Sequence, residues 1–71
     1  MTSPQPQEVF GKRVGQLRLE RGLSQEDLGE LAGLDRTYVS SAENGRRNVT
    51  ITTIYKLAAA LGVEPAELLT D

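Results

Sequence analysis

Residues 23–48 read LSQEDLGELAGLDRTYVSSAENGRRN, and their punctuation predicts two short helices joined by a tight turn. Ser24 is a good N-cap, because its hydroxyl can accept a backbone N–H that the first helical turn leaves unpaired. Asp27, three residues on, completes a short-armed capping box. Leu28 and Leu31 supply the buried side of this helix, and Gly33 stops it after about two turns. Asp35 caps the next helix, which runs to about Asn44 with Gly45 just beyond its end. A helix, a short glycine-containing link and a second helix form the pattern of a helix-turn-helix.

The flanks supply what such a motif packs against. Phe10, Val14 and Leu17 fall at i, i+4, i+7, one stripe of a 3.6-residue helix. Gly22 ends that helix, with Arg18 and Arg21 in its last turn, where cations suit the helix dipole. Ahead of it, MTSPQPQ (residues 1–7) reads as a flexible lead, since Pro4 and Pro6 disfavour helix; the folded domain is placed at 8–71. Behind the motif, Thr50 caps a fourth helix with apolar positions Ile51, Ile54, Leu57, Ala58 and Leu61, closed by Gly62. Residues 49–54 are rich in β-formers, but the helical spacing continuing to Leu61 outweighs a strand. Pro65 at the first helical position opens a last short helix carrying Leu68 and Leu69. Glu64 is a weak cap for it, so fraying is expected. The expectation is five short helices and no strand.

Composition removes several function classes. The chain has 71 residues, no Cys and no His. Disulfides and thiolate metal sites are therefore excluded, and the commonest metal ligand and acid–base group are missing. No nucleophile–base pair can be assembled without His or Cys, and no phosphate-cradling glycine loop is present, so no enzyme, cofactor or metal is expected. No apolar run approaches the roughly 20 residues that span a membrane, and the N-terminus lacks the order of a signal peptide. A cytoplasmic protein is expected. A domain this small is marginally stable, at about 4–10 kcal/mol, and has no staple except a second copy of itself. Net charge is −2. The charge is nevertheless segregated: +2 over residues 1–23, −4 over 24–35, +3 over 36–56 and −3 over 57–71. One face can thus be basic on an acidic molecule.

The helix after Gly33 carries the candidate chemistry. On a helical wheel Arg36, Thr37, Ser40, Ser41 and Asn44 share one side, Val39 and Ala42 the other, with Glu43 at the margin and Tyr38 on a flank beside Ser41. The outward side bears short donors and acceptors and one guanidinium, without an acid. A solvated face ordinarily carries Glu–Lys pairs, and this one has neither. Small hydroxyl residues let a helix enter the major groove, Arg pairs bidentately with guanine, and a Thr methyl packs on a thymine methyl. The following Gly45-Arg46-Arg47-Asn48 can grip phosphates. Gln25, at the start of the preceding helix, is a natural phosphate anchor. Its neighbours Glu26 and Asp27 must then point away from the nucleic acid. Glu43 near the inward margin needs a partner, and Arg18 at the end of the first helix can provide one as a partly buried structural ion pair. Arg18 on a phosphate is the alternative.

The same stretch resembles the Xre/Cro–C1 type helix-turn-helix regulators, over residues 10–69. The resemblance implies an all-α, compact five-helix lambda-repressor-like DNA-binding domain with the motif at helices two and three. It implies a phosphate contact for Gln25, a structural pair for Arg18 and Glu43, and base reading by Arg36, Thr37 and Ser41, with Tyr38 and Ser40 adjacent. LDRTYVS (residues 34–40), then Glu43, then RNVTI (residues 47–51) looks like the controller proteins of restriction–modification systems, which are small helical homodimers that both activate and repress their own promoter. Gly29 departs from the Ala usual in that family, at a cost of about 0.5–1 kcal/mol of helix preference.

The expected function is therefore sequence-specific binding of a near-palindromic double-stranded DNA operator as a homodimer, with RNA polymerase a further partner when it activates. Arg36, Thr37, Tyr38, Ser40 and Ser41 would read bases, and Gln25, Asn44, Arg46, Arg47 and Asn48 would hold phosphates. Ile51, Ile54, Tyr55 and Leu69 are the candidate dimer surface, although ordinary core is open for them. At this length no ligand-sensing domain is expected. The rival is a protein-docking module of coactivator or antitoxin type, which the negative net charge favours and the acid-free face disfavours.

Overall fold

A computed structural model describes residues 3–70. Four α-helices, α1 (Pro6–Glu20), α2 (Gln25–Ala32), α3 (Arg36–Glu43) and α4 (Ile51–Leu61), are followed by a 3-10 helix, Pro65–Leu69. No strand occurs among the described residues. The expected fifth α-helix is thus a short 3-10 helix instead. Its opening i→i+3 bond runs from the Glu67 N–H to the Glu64 carbonyl at 2.9 Å, and the Glu67 carboxylate accepts the Glu64 N–H at 2.8 Å.

The first helix begins two residues before the Glu8 where its apolar spacing starts. Pro6 occupies its first position, where a missing N–H costs nothing, and Glu8 reaches back to accept the Gln5 N–H at 3.0 Å. Of the seven residues read as a lead, Pro6 and Gln7 are therefore helical, whereas Met1 and Thr2 lie outside the described residues.

Caps set the motif. The Ser24 hydroxyl accepts the Asp27 N–H at 2.9 Å, and the Asp27 carboxylate accepts the Ser24 N–H at 3.0 Å. Gly33 ends α2 at φ +72°, a conformation side chains disfavour, and the Asp35 carboxylate accepts the Thr37 N–H at 2.7 Å to open α3. The turn closes directly over Gly29. A Cβ there would stand 2.6 Å from the Leu34 carbonyl oxygen, so the absent methyl is space that the chain itself fills. The helix preference lost at Gly29 accompanies this close turn.

The bond from Ser24 holds the Asp27 carboxyl below the usual carboxylate range. A depressed folded-state pKa gives stability that is complete above the unfolded value, near 3.9, and is lost as pH falls through the folded one. Thermal melts taken from about pH 5 downward should therefore fall more steeply for wild type than for Asp27→Asn. Parallel curves would count against the cap.

The core gathers Phe10, Val14 and Leu17 of α1, Leu28 and Ala32 of α2, Val39 of α3, Leu57, Ala58 and Leu61 of α4, and Leu68. Two expected core positions lie outside it. Leu31 is 60% exposed and Ile51 is 74% exposed. Only two turns of α2 meet the core, so its buried face is as narrow as Leu28, Gly29 and Ala32. On α4 the buried stripe is Thr53, Leu57, Ala58 and Leu61, which leaves Ile51 on the flank at the helix start. Thr53 is buried without penalty because its hydroxyl meets that of Thr50 at 3.1 Å. Arg21 joins the ends of two helices: its Nε donates to the Leu61 carbonyl at 2.5 Å and its Nη1 to that of Leu17 at 3.2 Å. Among the described residues no helix is long and apolar enough to cross a membrane.

Candidate nucleic-acid interface

Burial of Val39 and Ala42 fixes which side of α3 meets solvent. Arg36, Thr37 and Asn44 are exposed, and Tyr38, Ser40 and Ser41 are half-buried beside them. Asn44 turns its amide back onto the Ser40 carbonyl at 2.9 Å. Gly45, at φ +72°, redirects the chain into a loop on which Arg46, Arg47 and Asn48 are exposed. The two arginines differ in setting. Arg47 lies over the Tyr38 ring, its Cζ 4.9 Å from the centroid, so the loop doubles back along α3.

Beneath this surface sits one charged cluster. Arg18 grips Glu43 with two bonds, Nε to Oε2 at 2.6 Å and Nη2 to Oε1 at 2.9 Å. Its remaining nitrogen donates to the Leu23 carbonyl at 2.9 Å. The two side chains are only 13% and 9% exposed. The Glu43 hydrogen bond raises the Arg18 pKa, against the desolvation that lowers it. Gln25 joins the same cluster by donating its amide to Glu43 Oε1 at 3.1 Å. Nothing in the sequence places Gln25 on Glu43, since 18 residues separate them. Among the described residues no buried side-chain nitrogen or oxygen lacks a partner.

Gln25 and Arg36 come together at the mouth of the motif. With Arg18, Ser24 and Glu26 they line an open hollow of about 520 Å³ between the starts of α2 and α3. Glu26, the second residue of α2, also borders the hollow. The dimer candidates split by exposure. Tyr55 is 61% and Leu69 59% exposed, Ile51 lies open as already noted, and Ile54 is half-buried against the core.

The arrangement is an outward polar face of α3 flanked by a cationic loop and by the start of α2. Comparison with known proteins agrees. The helix-turn-helix family profile matches residues 14–68, and the chain belongs to the Xre-type helix-turn-helix family of DNA-binding transcription regulators, which are not enzymes. Control protein C.MunI of a Mycoplasma species is 46% identical over 63 residues, spanning 87% of this chain and 85% of its own length. Control protein C.BamHI of Bacillus amyloliquefaciens is 47% identical over 62 residues, 86% of this chain and 76% of that one. The crystal structure of the restriction-modification controller protein C.AhdI from Aeromonas hydrophila superposes with a TM-score of 0.86 at 53% identity, covering 87% of this chain and 94% of that one. The docking-module rival gives way to DNA binding.

Proposed function

We propose that this regulator acts as a homodimer in the cytoplasm, controls its own promoter from a near-palindromic operator, and meets RNA polymerase when it activates. The observation that carries the reading is the acid-free outward face of α3, with Arg36 exposed at its first turn. The similarity to control proteins supports autoregulation as its use. Arg36, Thr37, Tyr38, Ser40 and Ser41 read base edges. Asn44, Arg46 and Asn48 hold phosphates with Gln25, whose backbone N–H opens α2. Selection of bound duplexes from a random library tests the whole reading, since an enriched inverted repeat is expected. Arg36→Ala should then lose about 1–3 kcal/mol of specific binding and relax preference at one base position. Unaltered preference across single-base operator variants would remove Arg36 from the base-reading set.

Ile51 and Tyr55 stand one turn apart on α4, and Leu69 belongs to the 3-10 helix that packs on α4. One helix-turn-helix reads about half a site, and two half-sites bound by linked copies combine into one strong event. A second copy of the chain is the occupant that this exposed apolar surface and the operator both require. Sedimentation equilibrium at micromolar concentration should find a dimer, and Tyr55→Lys should shift it toward monomer by about tenfold or more in Kd. A wild-type monomer that binds single half-sites without cooperativity would discard the arrangement.

A further inference from the structure

The Tyr38–Arg47 stack joins two groups that the sequence sorts into different tasks. Tyr38 sits in the first turn of α3, and Arg47 lies three residues past its C-cap, in a loop with no regular structure. A guanidinium carbon 4.9 Å from the ring centroid lies within cation–π reach, where the negative face of the ring attracts the cation. Its N–H donors all lie in the guanidinium plane and stay free at the edge. Arg46, by contrast, is exposed and makes no side-chain hydrogen bond or ion pair among the described contacts. From this difference we infer that Arg47 is a positioning residue for Tyr38: the stack holds the ring in one orientation on the recognition helix before DNA arrives. The inference rests on the base-reading role proposed for Tyr38.

Physical consequences separate this from an ordinary phosphate contact. Half-buried on one side, the Tyr38 ring keeps rotational freedom about its side-chain bonds unless something covers its other face. In the loop, the Gly45 and Arg46 N–H groups bond back to α3 carbonyls, whereas Arg47 and Asn48 make no hydrogen bond among the described residues. One stack restrains both, so less ordering remains to be done when the surface docks. A cation that serves the ring contributes little to the count of released counterions, whereas a cation on a phosphate lowers the salt slope by about one unit when removed.

The test pairs a measurement on the free protein with a double-mutant cycle on DNA. In the free protein the Arg47 side-chain Hδ protons should show an upfield ring-current shift by NMR, kept in Tyr38→Phe and lost in Tyr38→Leu. On the selected operator, Arg47→Ala should weaken discrimination at the base step sensitive to Tyr38 by about two- to fivefold and leave the salt slope near wild type. Its effect should vanish in the Tyr38→Leu background, and Arg47→Lys should restore part of it. Arg46→Ala should instead lower the slope by about one unit at unchanged base preference. An Arg47→Ala protein that loses a unit of slope and adds independently to Tyr38→Leu would overturn the inference, as would the absence of any ring-current shift. A base preference indifferent to Tyr38→Leu, with the ring-current shift present, overturns the base-reading role and with it the positioning role, while leaving the stack itself established.

Discussion

Glu43→Ala is expected to cost about 3 kcal/mol of folding stability, a fall in Tm on the order of 10–20 °C for a domain of this size. The size of the loss comes from what stays behind. The Arg18 guanidinium, 13% exposed, keeps only the Leu23 carbonyl, and its charge remains largely out of water. Arg18→Ala strands the carboxylate in the same way, with the Gln25 amide as its sole side-chain partner. The double mutant leaves neither charge behind and should lie well short of the sum. A cycle of urea or thermal melts gives the coupling directly. Additive losses would mean that the two residues do not meet in solution. Because Gln25 shares the carboxylate, Glu43→Ala should also weaken binding to all duplexes alike, without changing which base is preferred.

The second large effect is Gly11→Ala. The carbonyl end of α3 runs against α1 at Gly11, where a Cβ would press on the Ala42 carbonyl oxygen and stand 2.7 Å from that of Glu43. Both obstacles are backbone, so neither can turn aside. Accommodating a methyl means lifting α1 from α3, which also drags Arg18 from Glu43. A loss of about 2–3 kcal/mol is expected, exceeding the roughly 1 kcal/mol of helix preference that Ala brings. Gly15 is the control. A Cβ there meets a side-chain atom rather than backbone, the Glu43 Oε1 at 3.3 Å, a contact that a shift of a few tenths of an ångström in the bonded carboxylate relieves. Gly15→Ala should be within about 0.5 kcal/mol of neutral, as its helix preference offsets the contact. Equal melting temperatures for the two variants would contradict the close crossing.

The chain's sequence is legible where the physics is local. Ser24, Asp35 and Thr50 cap helices because each side chain reaches an N–H two or three residues away, and Gly33 and Gly62 stop helices because they adopt the left-handed conformation. Val39 and Ala42 face inward because the third helix has one apolar stripe, and that stripe alone decides that Arg36, Thr37, Ser40 and Ser41 are presented outward. Charge spacing was informative in the same way for Arg18 and Glu43: each lies at the margin of an apolar stripe, where an unpaired charge is costly.

Positions whose fate depends on a neighbour far along the chain were not legible. Leu31 and Ile51 fit helical stripes as well as Leu28 and Leu57 do, yet no other helix covers them. The last helix carries Pro65 at its first position, but so short a piece takes the tighter 3-10 form. Gly11 looks like any helical glycine until α3 crosses it. The Gln25 amide on Glu43 and the Arg47 guanidinium over Tyr38 have no counterpart in spacing or periodicity. By itself, then, the sequence determined the helices, their order, the motif and the outward chemistry of α3, because capping, periodicity and glycine conformation act within one or two turns. Only the tertiary structure decided which apolar residues stay uncovered, which glycine is a crossing point and which polar groups share a partner, because those depend on distances between helices that no local preference encodes.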